Sequence, residues 1–178
     1  GPNLGKAHRR NVIQLLFHTC NITPMASTFV SAIGLLQHTG HCIIFAIAVG
    51  EAIGRDEDDR VLRPETRVIG VEPVDAPTMK AAVDAGEVVT LNEVGLFADG
   101  VAVRRAGTET FRLCRDLLDE IVLVDTDAIC AAIKDIFDDS RAVAEPSGAV
   151  ALAGLKAWAA AHPGSGALIA VNSGANVN

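Results

Sequence analysis

Three places in this 178-residue sequence set a residue able to do chemistry directly after a short apolar run: Gly50 after Phe45–Val49, Glu72 after Val68–Val71 and Ser173 after Leu168–Val171. Glycine lets a ligand approach the backbone closely. A carboxylate can hold a proton or a cation, and a hydroxyl both donates and accepts. In layered α/β domains, ligands bind where strands end and helices begin. On spacing alone each of the three also reads as a capped turn, so the residues by themselves take the argument to an α/β domain that binds a small molecule.

The other reactive side chains are poorly placed for catalysis. Cys20, Cys42, Cys114 and Cys130 include no pair at the close spacing of a zinc site. Cys114 and Cys130 fall on the apolar faces of expected helices, as buried free thiols of a reducing, cytoplasmic compartment would. A nucleophilic cysteine needs an organised histidine, and the histidine that follows them, His162, stands in the loop-like His162-Pro163-Gly164. The lysines are Lys6, Lys80, Lys134 and Lys156. The last three sit on expected helices, where solvation is the ordinary role.

The elements that would position these residues follow from hydrophobic patterning. Arg67–Glu72 reads as a buried strand closed by Pro73, Ile121–Val124 as another and Ala167–Val171 as the last. Val88-Val89 suggests a further short strand. Ala76–Ala85 reads as a helix capped by Gly86. Thr108–Leu118 carries Phe111, Cys114, Leu117 and Leu118 at helical spacing. Asp125, Thr126 or Asp127 can cap a helix that buries Ile129, Ala132, Ile133 and Ile136. Pro146 suits the first turn of a helix to about Ala161, and Glu145 before it suits the positive helix end. This alternation predicts an α/β layered domain with a largely parallel sheet flanked by helices. Aromatics are 4% of the residues, so the core is one of Ala, Val, Ile and Leu. A net charge of −7 argues against a nucleic-acid partner, which demands a basic face.

Charge divides the chain at about Gly50. Residues 1–50 hold Lys6, Arg9 and Arg10 and no acidic residue, while all 22 Asp and Glu lie from Glu51 onward. A targeting segment and a membrane segment are two readings of residues 1–50. Neither apolar run there, Met25–Leu36 or Cys42–Gly50, reaches the ~20 residues of a spanning helix, and no membrane partner is expected. A third reading, which the family resemblance favours, is a scrambled or frameshifted counterpart of an ordinary domain segment, with residues 51–178 as the C-terminal part of a catalytic domain.

Blocks of the acidic part resemble biosynthetic threonine ammonia-lyases, pyridoxal 5'-phosphate enzymes of fold type II. They are Val68–Pro73, Val94–Val103, Glu109–Cys114, Asp125–Ala132, Arg141–Ala149 and the closing Ser173-Gly174-Ala175-Asn176-Val177-Asn178, in family order. Glu145-Pro146-Ser147-Gly148-Ala149 together with Ser173-Gly174-Ala175-Asn176 carries most of the specificity. The resemblance implies a β-elimination that turns L-threonine into 2-oxobutanoate and ammonia in isoleucine synthesis, and a homo-oligomer. Serine dehydratases and racemases are the nearest enzymatic alternative, and a non-catalytic subunit-contact module, presenting Ser147–Ala161, is the other.

The same resemblance assigns residues. Ser173 would meet the pyridine nitrogen, Gly100 of Ala98-Asp99-Gly100 would lie near the ring, and Glu145 matches a glutamate close to the cofactor. Gly50 would be the first glycine of a phosphate loop, although Glu51 then puts a negative charge beside it. Glu72 matches a cation ligand of some relatives, but Thr78 stands where they have a second carboxylate, so no metal is expected. None of the lysines has the family's aromatic-Lys-x-Arg-Gly context, and the substrate-gripping Ser-Ser-Gly-Asn type of motif is absent. The chain is therefore expected to be a fragment, inactive alone, with no catalytic residue of its own.

Overall fold

The computed structural model describes residues 13–17, 42–47, 66–164 and 166–175, the first two segments by their backbone. Five strands form one sheet: β1 (Ile13–Phe17), β2 (Cys42–Ile47), β3 (Arg67–Pro73), β4 (Glu120–Val124) and β5 (Ala167–Asn172). The order is β1-β5-β2-β3-β4, and every pairing is parallel. β5 therefore lies between the two strands contributed by residues 1–50. β2 begins three residues before the expected Phe45 and pairs Ile44 with both Val68 and Ile169. β1 had no counterpart among the expected strands.

Helices cover both faces because β3 is apolar on both, as a central parallel strand must be. Val68 packs with Met79 and Ala82 of α1 (Thr78–Ala85) and Phe111 and Cys114 of α2 (Thr108–Leu117). Ile69 and Val71 point the other way, toward α3 (Thr126–Ser140) and α4 (Pro146–Ala161). The expected α/β layered domain is thus formed, with α1 and α2 on one side of the sheet and α3 and α4 on the other.

Local signals account for most helix ends. Asp125 accepts a hydrogen bond from Ala128 N–H at 2.8 Å, so it is the cap of α3. Gly86 closes α1 with φ of 74°, the left-handed conformation that favours glycine. Pro146 opens α4 as expected. α4 is buried along Ala149–Leu155 and again at Trp158, so it is the central core helix and not a face held free for another subunit. A helix apolar all round belongs in a core. It lies close to the sheet because Gly154 meets Val71: a Cβ there would sit 2.4 Å from Val71 Cγ2.

Two expectations fail locally. Val88 and Val89 are half-buried loop residues, and the neighbouring Thr90 makes a single antiparallel bridge with Arg105. Cys130 is exposed, because α3 buries Ile129, Ala132 and Ile136 and Cys130 lies a step of about 100° round from Ile129. Cys114 is buried as expected, and burial, with the Glu72 charge second, pushes its thiol up to about 12. It is no nucleophile. No helix among the described residues is long and apolar enough to cross a membrane.

Candidate functional site

A parallel sheet gathers the C-terminal ends of its strands along one edge. β5 ends there at Asn172 and runs straight into Ser173, Gly174 and Ala175. The N–H of Glu145 donates to the Gly174 carbonyl at 3.2 Å, which brings the start of α4 to the same edge. Asn172 is buried, and its Oδ1 accepts from Gly174 N–H at 3.4 Å, holding the backbone on both sides of Ser173. Ser173 itself is half-buried.

Close approach occurs on both sides of this junction, against backbone at Gly148 and against a flexible side chain at Gly174. A Cβ on Gly148 would lie 2.3 Å from the Gly174 carbonyl oxygen, 2.5 Å from Asn172 Oδ1 and 2.9 Å from Gly174 N. A Cβ on Gly174 would lie 1.7 Å from Glu145 Oε1. Glu145 is the residue before α4, yet its carboxylate makes no capping hydrogen bond to the helix. It leans over Gly174, next to Ser173. Glu145 is thus both the N-cap residue of α4 and a carboxylate beside the Ser173 segment.

The third component is the 3₁₀ turn Asp99–Val101. Ala98 and Val101 are buried in the cluster that includes Ala149 and Val150 of α4, which anchors the turn against that helix. Asp99 Oδ1 accepts from Gly100 N–H at 2.9 Å. A Cβ on Gly100 would sit 2.8 Å from Ser147 Oγ. Ser147 is buried, and its hydroxyl has no hydrogen-bond partner among the described residues. The structure therefore places Glu145 beside the Ser173 segment and Gly100 against Ser147, two residues on from Glu145. Gly50 lies outside the described residues.

Asn172, Ser147 and Gly148 were missed as parts of this cluster. Signals existed for two of them: a polar residue closes the apolar strand β5, and a hydroxyl opens the apolar helix α4. Gly148 stood in the Glu145–Ala149 block, but its close approach to Asn172 and Gly174 is a tertiary fact.

Glu72 ends at the same edge, fully buried, and does something else. Pro77, before α1, supplies no side-chain cap. Glu72 reaches back instead, its Oε1 accepting from Met79 N–H and its Oε2 from Lys80 N–H, each at 2.8 Å. Both carboxylate oxygens thus serve the first turn of α1. Burial pushes its pKa from 4.5 up to about 7, and the two N–H donors and Lys80 pull it back. Thr78, beside it, donates to the Val103 carbonyl and ties down the loop after the Gly100 turn. Among the described residues no three His, Cys, Asp or Glu side chains converge as a cation site.

Each described lysine is held by a carboxylate. Lys80 pairs with Asp84 at 2.6 Å, Lys134 with Asp138 and Lys156 with Asp135. Asp138 holds the Lys134 ammonium above its usual range. All three ammonium groups are engaged at the surface, away from the Ser173 cluster.

The family model of pyridoxal-phosphate dependent enzymes matches residues 45–174. The chain belongs to the pyridoxal-phosphate dependent enzymes. It is 53% identical over 151 residues to the L-threonine dehydratase biosynthetic IlvA of Escherichia coli (strain K12), a match covering 83% of this chain and 29% of that one. The structure of the processed form of threonine deaminase isoform 2 from Solanum lycopersicum superposes with a TM-score of 0.78 at 36% identity, over 86% of this chain and 45% of that one. Maize serine racemase gives 0.73 at 26% identity, over 86% of this chain and 48% of that one. The chain thus spans less than a third of the length of the curated relative and under half of the solved structures. All the expected elements of the cluster, from Gly100 to Gly174, fall within the family match.

Proposed function

We propose that this chain supplies the ring-nitrogen side of the cofactor pocket in an enzyme that converts L-threonine into 2-oxobutanoate and ammonia. The observation that supports the reading is the packing of Glu145 and Gly148 on the segment around Ser173, with the Gly100 turn against Ser147 of the same helix start. The C-terminal edge of the strands is where doubly wound sheets hold their ligands. Pyridoxal 5'-phosphate supplies the electron sink for loss of the β-hydroxyl.

The chain's own residues would do three things. Ser173 meets the ring nitrogen with a neutral hydroxyl, which does not hold a proton there as a carboxylate would, and so favours elimination over transamination. Gly100, exposed on its turn, lets backbone approach the ring. Glu145 puts a carboxylate beside Ser173, while Asn172 and Gly148 fix the strand end from beneath. The substrate is read as a small amino acid, the setting as cytoplasmic isoleucine synthesis and the assembly as a homo-oligomer. Among superposed structures, the 36% and 28% identity to two threonine deaminases, against 26% and 24% to two serine racemases, favours threonine over serine as substrate.

The test is visible absorbance after incubation with pyridoxal 5'-phosphate and desalting. A retained cofactor band, lost in Ser173→Ala, supports the reading. Its absence in the wild-type chain supports a non-catalytic module. No 2-oxobutanoate is expected from the isolated chain, since its described lysines are all ion-paired. Gly174→Ala gives a second expected result. The atom in the way is the far end of a flexible glutamate, so stability should fall by less than about 1 kcal/mol. Glu145 must swing away, and cofactor retention should fall with it. Unchanged retention in a folded Gly174→Ala variant would remove Glu145 from the pocket.

A further inference from the structure

Ser147 is the second residue of α4, and it is the hydroxyl among that helix's buried residues. Its relative exposure is 4%, and its oxygen has no hydrogen-bond partner among the described residues. A buried polar group left unmatched is costly to the fold, and native chains seldom keep one without a use. Alanine at this position would remove the cost and improve helix propensity as well.

The surroundings of the oxygen say what the use is. It faces Gly100, where a Cβ would come within 2.8 Å of Oγ. It sits one residue from Gly148, which packs on Asn172 and Gly174, and two residues from Glu145, whose carboxylate covers Gly174. The unmatched hydroxyl therefore stands where the Gly100 turn, the start of α4 and the end of β5 converge. A hydroxyl serving only the fold would lie against a carbonyl or a side-chain acceptor. This one has Gly100 packed beside it and makes no hydrogen bond to any described residue.

We infer that Ser147 is a ligand-facing positioning residue of the cofactor pocket, its hydroxyl completed by a polar atom that the bound pyridine cofactor brings. The inference rests on the cofactor reading given above and adds a residue to it. It predicts opposite signs in the two states of the protein. Removing the hydroxyl relieves the ligand-free chain and weakens the loaded one. Such a trade of stability for binding is the mark of a functional polar group in an apolar setting.

The experiment is thermal unfolding of the 178-residue chain with and without pyridoxal 5'-phosphate, for wild type, Ser147→Ala and Ser147→Thr. Without cofactor, Ser147→Ala should melt ~2–4 °C above wild type. Cofactor should raise the wild-type midpoint, and Ser147→Ala should need about tenfold more of it for the same shift. Ser147→Thr keeps the hydroxyl and should respond as wild type does. Several results overturn the inference. A lower midpoint for ligand-free Ser147→Ala would make the hydroxyl structural, for example through a buried water. Equal cofactor response in wild type and Ser147→Ala would remove it from the pocket while leaving the cofactor reading intact, and so would a Ser147→Thr that behaves as alanine does. No response in the wild type would overturn the cofactor reading, and this inference with it.

Discussion

Gly148→Ala is expected to destabilise the protein by ~3 kcal/mol or more, a drop of roughly 6–12 °C in unfolding midpoint for a chain of this size. The sign is not the one helix propensity gives. Alanine in a helix interior is better than glycine by about 1 kcal/mol, so a solvent-facing Gly148 would gain from the change. Here the new methyl would meet the Gly174 carbonyl at 2.3 Å and the Gly174 nitrogen at 2.9 Å. These are backbone atoms of the segment that leaves β5. Neither can rotate away, so α4 must rise off the sheet or the turn around Ser173 must move. Moving α4 is expensive because Ala149 through Leu155 are buried along its length. Urea unfolding measures the loss. A Gly148→Ala protein as stable as wild type would show that α4 and β5 are not packed this closely. The contrast with Gly174→Ala is instructive: a shorter clash costs less when the atom in the way terminates a flexible side chain.

Glu72→Ala is expected to cost ~3–5 kcal/mol at pH 5 and distinctly less above pH 7. The mutation removes the acceptor for Met79 N–H and Lys80 N–H and leaves a cavity where a fully buried side chain stood. Pro77 offers no replacement cap for α1. The pH dependence follows from burial, which raises Glu72 from 4.5 to about 7 in the folded protein. Between those values the folded state holds a proton that the unfolded state has released. Raising the pH through this window therefore favours unfolding. The contribution of Glu72 is whole below pH 4.5 and is lost as pH passes 7, by up to ~3 kcal/mol in the wild type. Other carboxylates titrate alike in both proteins, so they cancel in the difference between wild type and Glu72→Ala. Unfolding free energies at pH 4.5, 6 and 8 make the measurement. A difference that stays constant across that range would mean Glu72 is ionised throughout, paired well enough by its two N–H donors to offset burial.

Glu72 also shows how a strand-end carboxylate is to be read. From the sequence it was one of three candidates, and a resemblance offered it a cation. The structure gives its two oxygens to the first turn of α1, seven and eight residues on. Such a cap bridges a turn and a strand end, and no local pattern announces it. Asp125, three residues before its partner Ala128, is the opposite case, legible as a cap from spacing alone.

The same division runs through the molecule. The sequence by itself determined what depends on near neighbours. The alternation of apolar runs and amphipathic stretches specified β3, β4, β5 and the four helices among the described residues to within a few residues, because burial pattern and capping are local. It also determined family membership, since the blocks around Glu145 and Ser173 are linear motifs. What only the tertiary structure decided depends on distance between segments far apart in the chain. β5 inserts between β1 and β2, which no pairing pattern in the sequence implies. α4, apolar enough to serve as a contact face, is consumed by the core of its own domain. Cys130, placed on an apolar face by its neighbours, is turned outward by the packing of α3. At the site, Ser173 was legible, but its setting was not. Asn172, Gly148 and the unmatched hydroxyl of Ser147 matter because β5, α4 and the Gly100 turn meet, and that meeting is a property of the packed sheet, not of any stretch of residues.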